Sequence, residues 1–293
     1  MSRPDPKFES RPAPVAEAHS KSLVVRRPLL VYFVLSYAFF WLFLILYALT
    51  AYGLLGLQPD SQPPWLTPLV QIIGSWMPAA AALIATCFLA GRKGIADLFA
   101  KFIHFSIGWR WVLAALIPFG LALLSAGIYR LAGGSFSPAA NLSLGFWLEL
   151  TVVNLLSGPT GGEGGWRGFA LPRLLEKYSP LRAGLVLGLL WGFWHLPLWL
   201  TSGFSSVTLP LYCLFFLVAI TSLSILMTWI FCRTSPSLVP MTLAHFSFNA
   251  GFLLVGLLIP ALPFFIIMSA LLCSVTVIVW RSSPVSANPV INP

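Results

Sequence analysis

The side chains able to do chemistry in this chain stand inside or beside long apolar runs. Glu163 and Arg167 are four apart in TGGEGGWRGFALPRL, His195 sits in GLLWGFWHLPLWL, and His245 precedes Asn249 by four in VPMTLAHFSFNA. A spacing of four puts two side chains on one helix face, so Glu163 can pair with Arg167 and Asn249 can serve His245. The glycines around Glu163 permit a sharp helix entry, and the first free amides of a helix stabilise a carboxylate beside them. Trp191 lies one turn before His195, and Pro197 frees a backbone acceptor just after it.

Each feature has a plainer reading. Glu163 and Arg167 can be an ion pair pinning a re-entrant turn, and a lone embedded histidine is usually a packing residue. The chain has four histidines, and two of them are embedded with polar or aromatic partners at helical spacing. That coincidence predicts one intramembrane site shared by Glu163, His195 and His245. Glu149, isolated between two leucines, reads as a structural, hydrogen-bonded acid.

A carboxylate, two imidazoles and a carboxamide can activate a water, polarise a carbonyl and protonate a leaving amine. This is amide hydrolysis without a covalent enzyme intermediate. Imidazole and carboxylate also suit a divalent metal such as zinc, but H-E-x-x-H is missing and no cofactor is indicated. Ser247 is turned by helical phase away from the face of His245 and Asn249, and G-x-S-x-G does not occur, so a serine nucleophile is not expected.

The elements that must position these groups follow from composition. Apolar residues make up 58% of the 293 positions and charged residues only 9%, against roughly 45–50% and about 25% in an ordinary soluble domain. Only a bilayer accommodates such a chain. A spanning helix needs about 20 mostly apolar residues, and the apolar intervals supply eight. They are Leu29 to about Leu55, Pro68 to Ala90, Trp111 to Leu131, Leu144 to Ser157, two within Ala183–Cys232 divided near Thr201 to Leu209, and two within Thr234–Trp280 divided near Pro260. The expected fold is therefore an all-α, polytopic membrane domain of about eight helices over residues 28–281. The basic segment Arg92 to Arg110 reads as a helix lying on the membrane surface.

The net charge of +9 collects at the ends of apolar runs rather than in one stripe, which favours lipid headgroups over nucleic acid as partners. Basic loops concentrate on one side and place both termini in the cytoplasm. Residues 1–27 read as a disordered cytoplasmic tail rather than a cleaved signal, and 282–293 as a second disordered tail. Asn141 opens a formal glycosylation triplet that carries little weight. Cys87, Cys213, Cys232 and Cys273 are expected to be buried thiols.

Three motifs together resemble the CAAX protease and bacteriocin-processing (Abi) family of intramembrane endopeptidases. They are GPTGGEGGWRGFALPRL (158–174), WGFWH (191–195) and HFSFN (245–249), and the resemblance covers about residues 68–260. It implies eight helices and glutamate-dependent hydrolysis of a membrane-associated or prenylated protein or peptide, with a bacterial plasma membrane as the expected location. Under it, Glu163 polarises water, His195 and His245 position the water or stabilise the oxyanion, Asn249 orients His245 or binds the carbonyl, and Arg167 pairs with Glu163. Trp191 stands where the family often has Phe.

The first motif departs from the family, which carries two adjacent glutamates and assigns the base to the first. That position is Gly162 here. Three accounts follow: Glu163 shifts into the base role, Glu149 supplies a compensating carboxylate, or proteolysis is lost. The last makes the chain a membrane binding or bacteriocin-immunity protein. A small transporter is a further reading, from the embedded polar groups and broken helices.

Overall fold

The structure is a computed structural model that describes residues 22–54, 56, 62–137, 142–234 and 236–285. Asp60, Asn141 and most of both expected tails lie outside these residues. Eight of the described helices have ten or more residues. We number them α1 (Pro28–Ala48), α2 (Leu66–Ser75), α3 (Met77–Ala100), α4 (Trp109–Leu131), α5 (Pro180–Trp194), α6 (Thr208–Thr234), α7 (Val239–Gly256) and α8 (Ala261–Ser282). No strand occurs among the described residues.

Among the described residues, six segments are long and apolar enough to cross a membrane: Pro28–Ala51, Leu66–Ala100, Trp109–Leu131, Thr208–Thr234, Val239–Gly256 and Ala261–Ser282. The chain is an all-α, polytopic integral membrane protein. The second expected crossing is divided at Trp76 between α2 and α3, and the fourth and fifth depart furthest from regular, full-length helix. From Leu144 to Leu175 short α-helical pieces alternate with the wider turns of π-helix, and α5 has only 15 residues. Broken backbone of this kind is tolerated at membrane depth where it is enclosed by protein or lines a cavity, and both irregular regions adjoin the site described below.

Two local expectations need correction. The segment from Arg92 to Arg110 is helical only in its first half: α3 kinks at Gly91, whose φ of +58° favours glycine, and runs on to Ala100. Beyond it the backbone is tied down instead, with Leu238 N–H donating to Lys101 O at 2.9 Å and Ser237 Oγ to His104 O at 2.6 Å. In the tail expected to lack structure, Leu23–Arg26 form a helical turn capped by the Ser22 hydroxyl.

The core is a bundle in which α5 packs along α6, α7 along α4, α6 along α8 and α1 along α3. The α5–α6 contact depends on a stripe of small residues, Gly184, Gly188 and Gly192, one turn apart. A Cβ on Gly188 would stand 2.7 Å from Thr221 Cα, so the two backbones touch where lipid-embedded helices must gain attraction from close packing. The outward face of α1 exposes Leu30, Val34, Leu42, Ile45 and Leu46, as a lipid-facing surface should. Inward, α1 grips the end of α5. Tyr37 Oη donates to Leu190 O, Trp41 Nε1 to Trp194 O at 3.1 Å, and Trp194 Nε1 to Ser36 O at 3.2 Å. These bonds hold in place the helix end from which His195 projects.

Candidate active site

Glu163 opens a one-turn α-helix, Glu163–Gly165, between two π-helical turns, Gly158–Gly162 and Trp166–Ala170. Such widened turns recur at functional sites. The turn is pressed against α3, since a Cβ on Gly165 would lie 2.5 Å from Pro78 O. Glu163 and Arg167 are both fully buried, and Arg167 Nη1 donates to Glu163 Oε1 at 2.9 Å, the expected pairing at a spacing of four. The Arg167 guanidinium carbon lies 4.4 Å from the centre of the Trp191 ring, a desolvated cation–π contact.

Helix α7 brings His245 to the same carboxylate. Its Nδ1 lies 2.8 Å from Glu163 Oε1. A carboxylate accepts, so Nδ1 carries the proton and Nε2 of the neutral ring keeps a lone pair. His195 follows the same rule by another route. It lies in the break between α5 and the turn Leu196–Leu200, and Nδ1 donates to Trp191 O at 2.9 Å. Both imidazoles pack on the Trp191 ring, with centroids 4.9 Å away for His245 and 6.2 Å for His195.

The two histidines share the wall of one cavity of about 440 Å³ with Gly158, Gly162, Trp191, Asn154 and Asn249. Its remaining walls are largely apolar, including Phe216, Ile220, Phe248, Phe252 and Phe265, with Thr67, Gln71 and Ser75 on another side. Gly158 borders His245 so tightly that a Cβ there would stand 2.8 Å from Nε2. The spacing of His245 and Asn249 does place both on the cavity face of α7. Ser247 points elsewhere, donating to Ala115 O at 2.7 Å, and ties α7 to α4.

Neither glutamate takes the place expected of a base that touches water. Glu163 does not line the cavity: its carboxylate lies behind His245, with Oε1 held by two donors and Oε2 enclosed without a partner. It is positioned to orient His245 rather than to polarise water itself. Glu149 stands at the head of the π-helical turn Glu149–Val153, half-buried, and does not line the cavity either. Among the described residues no cluster of three or more His, Cys, Asp or Glu side chains could hold a metal ion.

Asn154 belongs to the site although its sequence reading passed it by. It is buried, lines the cavity, and donates through Nδ2 to Leu150 O at 3.3 Å and to Phe246 O at 3.2 Å, next to His245. Its signal in the sequence is an uncharged polar residue inside the apolar run LTVVNLL.

Residues 143–251, which carry all three motifs and the whole histidine pair, match the family described as Type II CAAX prenyl endopeptidase Rce1-like. Over that stretch the chain is similar to the CAAX protease family. It is also similar to CAAX prenyl protease 2 of Methanococcus maripaludis, 28% identical over 184 residues that cover 58% of this chain and 67% of the relative. These similarities support a protease function in general. Gly162 lines the cavity, and a Cβ there would stand 3.9 Å from His245 Cε1.

Proposed function

We propose that this protein is a CAAX-protease-like intramembrane endopeptidase that hydrolyses a membrane-associated peptide, including a prenylated one, with His245 as general base. The observation that carries the reading is the pair of imidazoles whose Nδ1 protons are committed to Glu163 Oε1 and Trp191 O. Each ring thereby keeps Nε2 as an acceptor in a cavity that also holds a carboxamide.

In the reaction, a water is held between the two Nε2 atoms. His245 takes one of its protons as the water oxygen bonds to the substrate carbonyl carbon, and Glu163 stabilises the resulting imidazolium as a buried carboxylate does in a hydrolytic triad. His195 accepts the second water hydrogen and fixes the direction of attack. Asn249 Nδ2 donates to the developing oxyanion. The tetrahedral intermediate collapses by breaking the C–N bond, and His245 returns its proton to the leaving amine. The apolar walls suit an apolar chain on the substrate, in keeping with the similarity to CAAX prenyl protease 2 of the methanogen, and lipids are the surrounding partners. The charge asymmetry of the loops favours cytoplasmic termini in a bacterial plasma membrane.

The test is cleavage of a membrane-peptide library, with prenylated members, by the purified protein in liposomes. Loss of cleavage in Glu163→Gln and His245→Ala is expected; activity unchanged in both would falsify the assignment. Gly162 supports a second reading, a binding protein that holds such peptides without cutting them. It predicts that the unsubstituted chain binds peptide without cleaving it, and that Gly162→Glu alone brings proteolysis.

A further inference from the structure

The space over Gly162 is furnished for an oxygen ligand. A Cβ on Gly162 would lie 3.3 Å from both Cδ1 and Nε1 of Trp166 and 3.9 Å from Cε1 of His245. The Trp166 indole is 1% exposed and lines the cavity. Edge contacts with Tyr32 and Trp194, each at a centroid distance of 5.9 Å, keep it from turning its N–H elsewhere. No described residue accepts a hydrogen bond from Trp166 Nε1. The N–H is open to the cavity that Trp166 lines, so an acceptor brought by a ligand can take its hydrogen bond there.

The same wall lacks negative charge. No acidic residue is among those lining the cavity, and the charge of Glu163 behind His245 is offset by Arg167 at 2.9 Å. An anion over Gly162 therefore meets a donor in front of it and a neutral pair behind, with the His245 ring at its side.

We propose that this space binds a carboxylate, brought either by the substrate or by a small acid in solution. One oxygen accepts from Trp166 Nε1–H, and the group lies against the edge of His245. Binding stands on the geometry alone; the consequence for rate rests on the hydrolysis reading above. A negative charge beside His245 stabilises the imidazolium formed when Nε2 takes the water proton. The preferred substrate is then a peptide carrying Asp or Glu next to the scissile bond.

Two measurements on the full chain in nanodiscs separate the claims. The first follows the ¹⁵N-indole signal of Trp166, assigned by its loss in Trp166→Phe, during titration with formate or with chloride at matched ionic strength. A saturable shift with formate, absent with chloride and absent in Gly162→Glu, is expected. No saturable shift with formate overturns the proposal, whatever the cleavage assay shows.

The second compares peptides with Glu or Gln beside the scissile bond. Cleavage about tenfold faster for Glu without added formate assigns the carboxylate to the substrate. Formate stimulation of both peptides with no preference for Glu assigns it to solution. Cleavage that responds to neither, with formate binding intact, overturns the catalytic consequence. No cleavage of any peptide removes the hydrolysis reading and leaves the binding claim to be judged by the indole signal.

Discussion

His245 donates through Nδ1 to Glu163 Oε1 at 2.8 Å across a separation of 82 residues, and Arg167 holds the same oxygen from the other side at 2.9 Å. The contact joins the broken glycine-rich turn to α7. It makes Glu163 at once the counter-charge of a buried arginine and the group that sets a histidine tautomer. Structural and chemical roles converge on one oxygen atom.

Replacing Glu163 with Gln should therefore lower stability as well as activity. Removing one partner of a buried pair leaves Arg167 uncompensated, at a cost of about 3–5 kcal/mol. Thermal unfolding in detergent measures this loss. Combining Glu163→Gln with Arg167→Met should recover much of the stability without recovering cleavage, because His245 still lacks its carboxylate. A double variant as unstable as the single one would show that the ion pair is not the source of the loss.

The two histidines should separate in a comparison of kcat with melting temperature. Loss of a positioned general base lowers rates by about 10²–10⁴-fold. That range is expected for His245→Ala, together with a fall in melting temperature, because Glu163 loses a donor. His195→Ala gives up a bond to the Trp191 carbonyl and ring contacts but takes no donor from a buried carboxylate, so its effect should fall on kcat with less change in melting. Equal destabilisation in both variants, with kcat tracking the folded fraction, would reduce them to packing residues.

Asn154 offers a test by chemistry rather than size. Its Nδ2 donates to two carbonyls, so Asn154→Ala should lose about 1 kcal/mol, the ordinary worth of such bonds. Asn154→Asp replaces the donor with a charged acceptor facing the same carbonyls and should be the less stable of the two in chemical denaturation at neutral pH. An Asp variant as stable as wild type would mean that the amide is not held as described.

Helix α5 depends on its glycine stripe. Gly188→Val places carbon 2.7 Å from the backbone of Thr221, where no rotamer change gives relief. Overpacking of this kind costs about 1–3 kcal/mol or more, and it should reduce the yield of monodisperse protein and with it the cleavage rate. The mirror control is Gly120→Val on α4, where a Cβ meets nothing within 4 Å; it should purify like wild type.

Much of this architecture was legible one stretch at a time. Uncharged runs located α1, α4, α6, α7 and α8 because the length of an apolar run is itself the physical requirement for crossing a bilayer. Spacing of four correctly paired Glu163 with Arg167 and put His245 on the cavity face with Asn249, because helix geometry is local. The kink at Gly91 and the unwinding after Ala100 were not legible, since the segment's periodicity continued through the positive φ of Gly91 and past Ala100, beyond which Lys101 and His104 bond to Leu238 and Ser237.

The sequence by itself determined the solvent, the helices and the inventory of reactive groups, since each depends on composition or on neighbours within a turn or two. Only the tertiary structure decided what each group faces. It set Glu163 behind His245, kept Glu149 outside the cavity, brought Asn154 into its wall, and opened Gly162 toward the Trp166 N–H. The reason is physical: whether a carboxylate meets water, an arginine or a histidine is decided by side chains on other helices, and no spacing along one helix encodes the approach of another.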